Sequence, residues 1–297
     1  MLSVLIPLYN YDIRQLLSDL DARLRRSGIA YEILVLDDAS LPEYAGMAAE
    51  LRDLPGIRWL TAPVNAGRSA SRNRLAREAR YEHLLFLDCD VRLIRENFID
   101  AYLEHIRNEP YDVLYGACLY PDNPPKDKAL LLHWYYGSQV ENPSLHDRLK
   151  HPFTRFHSVN FVVRKAVLAE IPFDERIRDY GHEDSLWAMD LKARGKAITH
   201  LDNPVLHEGL VSDKWFLRKT SHALKNLIRL ERENRAPESA LLNTYGLLKR
   251  LKMIPLAFRI YRKLERRIVR NLRSGQPAMR ALSLYKLGLF IRFVKKA

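Results

Sequence analysis

The chain has only two cysteines in 297 residues, Cys89 and Cys118. That is too few for a disulfide framework, and the usage points to a reducing compartment. No uninterrupted apolar stretch approaches the roughly 18–20 residues that a helix needs to cross a bilayer. The opening run, Leu2-Ser3-Val4-Leu5-Ile6-Pro7, has neither a basic segment before it nor a small-residue cleavage site. No signal peptide is expected, and the cytoplasm is the expected compartment. Repeats and low-complexity tracts are also missing. Glycine is absent from Pro7-Leu8-Tyr9-Asn10, the turn after the first strand-like run. The Gly-rich dinucleotide fingerprint is therefore lacking, which disfavours a nicotinamide or flavin enzyme. Acids are nearly missing from the C-terminal stretch: residues 240–297 hold fifteen Lys/Arg and one acid, Glu265, a net of +14. The whole chain carries +12, so the remainder sits at −2. A near-neutral body of this kind does not wrap nucleic acid over its surface, and nucleic acid is not an expected partner.

What is present alternates strand and helix signals. Val4-Leu5-Ile6 reads as a strand, and Ile13, Leu16, Leu17, Leu20 and Leu24 place a helix over Tyr11 to Arg26. Glu32 to Leu36 is the next strand, Pro42 to Leu54 a helix, Ile57 to Leu60 a short strand and Ser69 to Arg80 a helix. Leu84 to Leu87 is the fourth strand. The alternation predicts an α/β fold, with a parallel sheet flanked by helices. Further on, Val113 to Ala117, Ser158 to Val163 and Ala197 to Leu201 read as strands, with helices over Lys165–Glu170 and Asp184–Arg194. From Lys214 the pattern is helical, with breaks at Pro237, Pro255 and Ser274 to Pro277. The boundary predicted from this shift separates a domain over 1–215 from a helical region over 216–297.

The fourth strand ends in Asp88-Cys89-Asp90. Open α/β sheets bind ligands at the carboxyl ends of their strands. Two acids one residue apart repel unless a proton or cation lies between them, and a hard divalent ion bound to phosphate oxygens suits such ligands. The plain alternative is a polar turn after a strand.

Four segments together resemble one family, the inverting family-2 glycosyltransferases with the GT-A fold. Val4-Leu5-Ile6-Pro7-Leu8-Tyr9-Asn10 is similar to their opening strand and nucleotide-contacting turn. Leu36-Asp37-Asp38-Ala39-Ser40 is similar to their second strand end, with Ala39 where glycine is commoner. Asn65-Ala66-Gly67-Arg68-Ser69-Ala70-Ser71-Arg72-Asn73 resembles their Asn-x-Gly…Ala-Arg-Asn segment, and Asp88-Cys89-Asp90 their metal motif. Looser likeness continues through Asn160 to Lys165, Phe173-Asp174-Glu175 and Gly181-His182-Glu183-Asp184, a piece also similar to galactosyltransferases.

The resemblance implies a GT-A sheet with a C-terminal helical extension, and a role for each matched residue. Asp184 would be the base that activates an acceptor hydroxyl, with Glu183 holding the acceptor. Asp88 and Asp90 would hold Mn²⁺ or Mg²⁺ and the donor's diphosphate, with His207 as a third ligand. Pro7, Tyr9, Asp37 and Asp38 would hold the nucleotide, Asp38 accepting an imide N–H, so a UDP-sugar is the implied donor. Arg68 or Arg72 would touch the diphosphate. Each residue also has a structural alternative: Asp184 as a helix cap, Asp37 and Asp38 as turn-formers, Tyr9 as a core aromatic, Arg68 as a solvated helix residue and His207 as a structural histidine with His200 as competitor. His133-Trp134-Tyr135-Tyr136 is either core or an acceptor platform.

In the tail, Leu247, Leu248, Leu251, Ile254 and Phe258 form one stripe, and Ile260, Leu264, Ile268 and Leu272 a second, with Lys and Arg between. A basic amphipathic segment suits an anionic membrane surface, which predicts a peripheral protein on the inner face of the membrane acting on a glycan or lipid-linked glycan. A helical cap with solvated charges and an RNA-binding tail are the competing readings. For the whole chain the alternatives are a nucleotidyltransferase and a non-catalytic nucleotide-sugar-binding protein.

Overall fold

The computed structural model describes residues 1–52, 54, 56–177 and 181–296. Its strands are β1 (Leu2–Leu8), β2 (Tyr31–Asp37), β3 (Ile57–Thr61), β4 (His83–Leu87), β5 (Val91–Leu93), β6 (Val113–Tyr115), β7 (Cys118–Leu119), β8 (Asn160–Arg164), β9 (Ile198–His200) and β10 (Val205–His207). The helices are α1 (Arg14–Ser27), α2 (Ala45–Leu51), α3 (Arg68–Glu78), α4 (Phe98–Asn108), α5 (Leu131–Tyr136), α6 (Leu145–Lys150), α7 (Lys165–Glu170), α8 (Glu183–Ala193), α9 (Asp213–Arg232), α10 (Ala240–Arg250), α11 (Ile254–Leu272) and α12 (Met279–Lys296). They form two compact units. One comprises Met1–Tyr120, Asn142–Arg178 and Glu183–Gly209; the other comprises Pro121–Glu141, Asp179–His182 and Leu210–Ala297.

The first unit is built on a seven-stranded sheet in the order β3-β2-β1-β4-β8-β6-β9. Strands β3, β2, β1 and β4 run parallel, as the alternating pattern predicts. Strand β8 departs from that expectation, pairing antiparallel with both β4 and β6, so the sheet is mixed. Side-chain alternation divides each buried strand between two cores. Val4, Ile6, Ile33, Val35, Leu85 and Leu87 face one core, which α1 and α4 close with Leu20, Leu24, Phe98 and Tyr102. Leu5, Leu34, Leu36, Leu84, Phe86 and Phe161 face the other, closed from α3, α7 and α8 by Leu75, Leu168 and Trp187. Both faces are covered, which is why these strands read as unbroken apolar runs.

Three very short strands form a second sheet in the order β5-β10-β7, β10 running antiparallel to β5. The helix expected over Pro42 to Leu54 becomes a 3₁₀ turn, Pro42–Tyr44, followed by α2, and position 53 lies outside the described residues.

The second unit is helical. Leu132, Phe216, Leu217, Tyr261, Ile268, Leu272 and Leu282 make one cluster, and Leu224, Leu227, Ile228, Leu289 and Phe290 another. The stripe expected over Ile260 to Leu272 is shifted by one residue at its start: Ile260 is 49% exposed and Tyr261 takes the inward position. The break expected at Pro255 is there, between the end of α10 at Arg250 and the start of α11 at Ile254. Pro255 itself lies in the first turn of α11, where a missing N–H costs nothing, and the turn before it is made by Lys252 at φ 56°.

Candidate active site

Parallel register brings the carboxyl ends of three strands together. Pro7 lies beside Leu36 and Leu8 beside Asp37, while Leu5 lies beside Phe86, two residues before Asp88. Tyr9, just past β1, is 48% exposed, so its ring is presented rather than packed in the core. The turns after β1 and β2 are laced to each other. Asn10 N–H donates to Ser40 Oγ at 2.9 Å, Leu41 N–H to Asn10 Oδ1 at 2.8 Å, and Ser40 N–H to Asp37 Oδ1 at 2.9 Å. Ala39 lies between them in the left-handed region at φ 61°, which explains the commoner glycine of the motif.

Asp38, expected to accept an imide N–H, already accepts two backbone N–H groups of its own chain. Its Oδ1 accepts the Ala66 N–H at 2.8 Å and its Oδ2 the Gly67 N–H at 2.9 Å, and it is buried at 4% exposure. The Asn-x-Gly segment is thus a clamp: Gly67, at φ 86°, turns the backbone onto the carboxylate and opens α3.

The two strand-end acids part company. Asp88 Oδ1 receives Arg72 Nη2 at 2.8 Å, and the same nitrogen donates to Ser158 O at 3.1 Å. Arg72 is 1% exposed and lies over the Phe173 ring at 5.4 Å, an uncommon depth for a guanidinium. Asp90 instead faces His207, Oδ1 to Nδ1 at 3.6 Å, because β5 and β10 pair Val91 with His207. Gly209 completes that corner: a Cβ there would overlap the Asp90 carboxylate. Nearby Tyr11 is pushed up to about 12 by burial first, then by the Asp90 and Glu208 charges.

The expected set Asp88, Asp90 and His207 is therefore not gathered. Among the described residues no group of three or more His, Cys, Asp or Glu side chains is placed to hold a metal ion. Asp90 and His207 do fit one side of a cation's shell, with O and N donors of the kind Mn²⁺ accepts. The competitor His200 is structural. Its Nε2 meets Pro152 O at 2.9 Å and its Nδ1 faces the buried Arg148 at 3.4 Å, while burial brings its pKa down to about 4. Cys89, between the two acids, has its thiol pushed up by burial and by the Asp90 charge, which disfavours the thiolate.

Asp184 lies in the first turn of α8. Its Oδ1 accepts the Ser185 N–H at 2.7 Å, and its Oδ2 is 3.3 Å from His157 Nδ1. Burial opposes its ionisation. The His157 hydrogen bond and charge, the Ser185 N–H and the Arg72 charge outweigh it and bring the carboxyl down to about 2. Glu183 is buried and pairs with Arg68 Nη1 at 3.5 Å. Arg68, expected at the diphosphate, thus reaches an acid from α8. The helix is fixed from below by Trp187, stacked on Phe173 at 4.5 Å with its Nε1–H on Ile171 O at 2.7 Å.

Three participants carry no sequence signal of their own. His157 comes from the irregular turn before β8, Ser185 contributes a backbone N–H, and Gly209 contributes the absence of a side chain. Arg72 was nameable only as an alternative to Arg68.

Comparisons with known proteins bear on the fold. S. aureus TarS is similar to the chain at 19% identity and a TM-score of 0.50, covering 76% of this chain and 39% of that one. The mannosyltransferase PcManGT from Pyrobaculum calidifontis, in complex with GDP-Man and Mn²⁺, is 16% identical with a TM-score of 0.51, over 80% of this chain and 65% of that one. Glucosyl-3-phosphoglycerate synthase from Mycobacterium tuberculosis, in complex with Mn²⁺, UDP and glucosyl-3-phosphoglycerate, is 15% identical with a TM-score of 0.54, over 80% and 81%. The chain spans less than two thirds of the length of the first two. At these identities the likeness shows a shared fold. No curated protein matches the chain. The Glycosyl transferase family 2 model matches residues 3–171, more than half of the sequence, and the chain belongs to that family.

Proposed function

We propose that this protein is a metal-dependent, inverting glycosyltransferase that moves a hexose or N-acetylhexosamine from a UDP-sugar to a glycan acceptor carried on a membrane or lipid. The observation that carries the reading is the position of Arg72. One buried guanidinium pairs with Asp88 at the donor end of the sheet, and its charge adds, after His157 and the Ser185 N–H, to what keeps Asp184 ionised at the start of α8. A base and a donor-side acid thereby share one buried cation, the pairing of groups that an inverting displacement uses.

Asp184 accepts the acceptor hydroxyl's proton as the new glycosidic bond forms. Its Oδ1 and Oδ2 are oriented by Ser185 and His157, so the carboxylate does not need to search for its rotamer. Glu183, held by Arg68, lines the acceptor side. Pro7, Tyr9 and Asp37 form the nucleotide rim, with the exposed Tyr9 ring available to the base, while Asp38 keeps the clamp closed behind them. Asp90 and His207 would hold the divalent cation, Asp88 acting beside it through Arg72. When bound, the ion supplies charge neutralisation for the departing diphosphate. Relatives bound to UDP with Mn²⁺ and to GDP-Man with Mn²⁺ support a nucleotide-diphosphate donor and a divalent cation. On this reading the transferase part would span 1–215 and the helical region 216–297, the whole acting as a peripheral protein on the cytoplasmic face.

The test is Asp184→Asn with a panel of UDP-sugars and Mn²⁺. Transfer should be abolished while UDP with Mn²⁺ still stabilises the protein, by about 2.7 kcal/mol at ~100 times its Kd. Retained transfer overturns the base assignment. Absence of stabilisation by every UDP-sugar overturns the donor.

A further inference from the structure

The most apolar stretch of the tail is not its free surface. In α12, Leu282, Leu289, Phe290 and Ile291 are all buried, the first three within the apolar clusters of the helical unit. Apart from Leu284 in α12, the exposed large apolar residues of the tail lie elsewhere. Leu247, Leu251, Met253, Leu256 and Ile260 are 49%, 57%, 41%, 48% and 49% exposed, consecutive along the end of α10, the turn and the start of α11. Helix α10 has no buried residue at all. Leu241, Leu242 and Tyr245 give it a partly buried inner face, while its last turn projects leucine outward.

The outer face of α11 then changes character along its length. Leu256, Ile260, Lys263, Arg267 and Arg270 follow one another at steps of four and three, so they share one stripe, and all are exposed. The first two are aliphatic and the last three are cationic. Lys249, Arg250 and Lys252 flank the aliphatic end and are exposed too. The one acid of the region, Glu265, faces inward, where its Oε2 receives Arg292 at 2.6 Å. The surface is thus an aliphatic edge bordered by uncompensated positive charge.

We infer that this α10–α11 edge is where the protein docks on an anionic bilayer, with Leu247, Leu251, Met253, Leu256 and Ile260 entering the acyl boundary and the Lys/Arg stripe lying on the headgroups. The inference rests on the reading of a membrane-carried acceptor and assigns that reading a surface. Charge selects the occupant: a second copy would bring another positive face against this one, and an anionic lipid surface complements it. The exposed residues are aliphatic, whereas single-stranded RNA is gripped by aromatic rings on which bases stack. Among the described residues no helix is long and apolar enough to cross a membrane, so the contact lies in the interface plane.

The experiment is co-sedimentation of the full chain with vesicles of phosphatidylcholine alone and of equal parts phosphatidylcholine and phosphatidylglycerol. Two variants accompany it: Leu251→Gln, Leu256→Gln and Ile260→Gln together, and Lys263→Glu, Arg267→Glu and Arg270→Glu together. All of these positions are exposed, so folding and UDP–Mn²⁺ stabilisation should persist in both. Wild type should partition onto the mixed vesicles and not onto phosphatidylcholine alone, and each variant should bind about tenfold more weakly or worse. Equal binding to both vesicle types, no binding to either, or a glutamine variant that binds like wild type overturns the inference. Loss of vesicle binding with UDP–Mn²⁺ stabilisation intact leaves the transferase reading standing, whereas no stabilisation by any UDP-sugar in wild type removes that reading instead.

Discussion

At the scale of single residues, Arg72 organises the site because it is charged, buried and shared. Removing it with Arg72→Met leaves Asp88, only 16% exposed, without its 2.8 Å partner. Breaking a buried pair from one side costs about 3 kcal/mol or more, which a denaturant titration reads directly. The same variant should lose transfer more severely than its stability loss explains, since Asp184 loses a positive neighbour as well. Protonation gives a second prediction. His200 has a folded pKa of about 4 against 6.5 when free, so the unfolded chain takes the proton first. Its contribution to stability is complete above pH 6.5 and is lost as pH falls towards 4. His200→Gln should flatten that part of the stability profile. Asp184 has the depressed carboxylate pattern, about 2 against 3.8, so its contribution is present above 3.8 and disappears as pH falls towards 2. Transfer should therefore show no loss from protonation of Asp184 in mildly acid buffer.

At the scale of elements, the positions that matter are ends and crossings. The end of β10 and the residue two beyond it close on Asp90 because Gly209 has no side chain. Gly209→Ala should raise the Mn²⁺ concentration needed for half-maximal transfer about tenfold, with an unchanged far-ultraviolet spectrum. Gly288, where α12 crosses α11, leaves room for the Tyr261 ring, and a Cβ there would collide with it. Overpacking of this kind costs about 1–3 kcal/mol, so Gly288→Ala should lower the unfolding free energy read from a denaturant titration by that amount. These elements differ in how readable they were. Strands β1, β2, β4 and β8 are continuous apolar runs, and their positions, including the acids at their ends, follow from that. Strands β5, β7 and β10 are two or three residues long and exist because of their partners, so the place of His207 beside Asp90 is implied by the family resemblance and carries no strand signal of its own. His157 sits in a turn without periodicity, and only the fold brings it to Asp184.

At the scale of the whole molecule, the charge division is as informative as any motif. The N-terminal 239 residues hold a net −2 and the rest +14. Raising ionic strength from about 0.1 M to about 1 M shortens the screening length from roughly 10 Å to 3 Å. Vesicle partition should weaken steeply over that range, while UDP–Mn²⁺ stabilisation, formed by close contacts, changes little. The family match ends at residue 171, yet Glu183, Asp184 and His207 lie beyond it. The nucleotide end of the fold was legible because four spaced motifs agree there. The acceptor end was legible only as a looser pattern, and the organisation of the tail depended on which of two adjacent residues, Ile260 or Tyr261, turned inward.

Ala39 carries a consequence of a different kind. A left-handed alanine is strained by about 1–2 kcal/mol relative to an ordinary backbone conformation. Alanine also has fewer unfolded conformations to lose than glycine, an advantage of about 0.4–1 kcal/mol. The strain is the larger of the two, so Ala39→Gly would stabilise the folded chain by up to about 1 kcal/mol. Entropy at the nucleotide rim would change as well, and a turn that is now stiff before any ligand arrives would have to be ordered by the ligand itself.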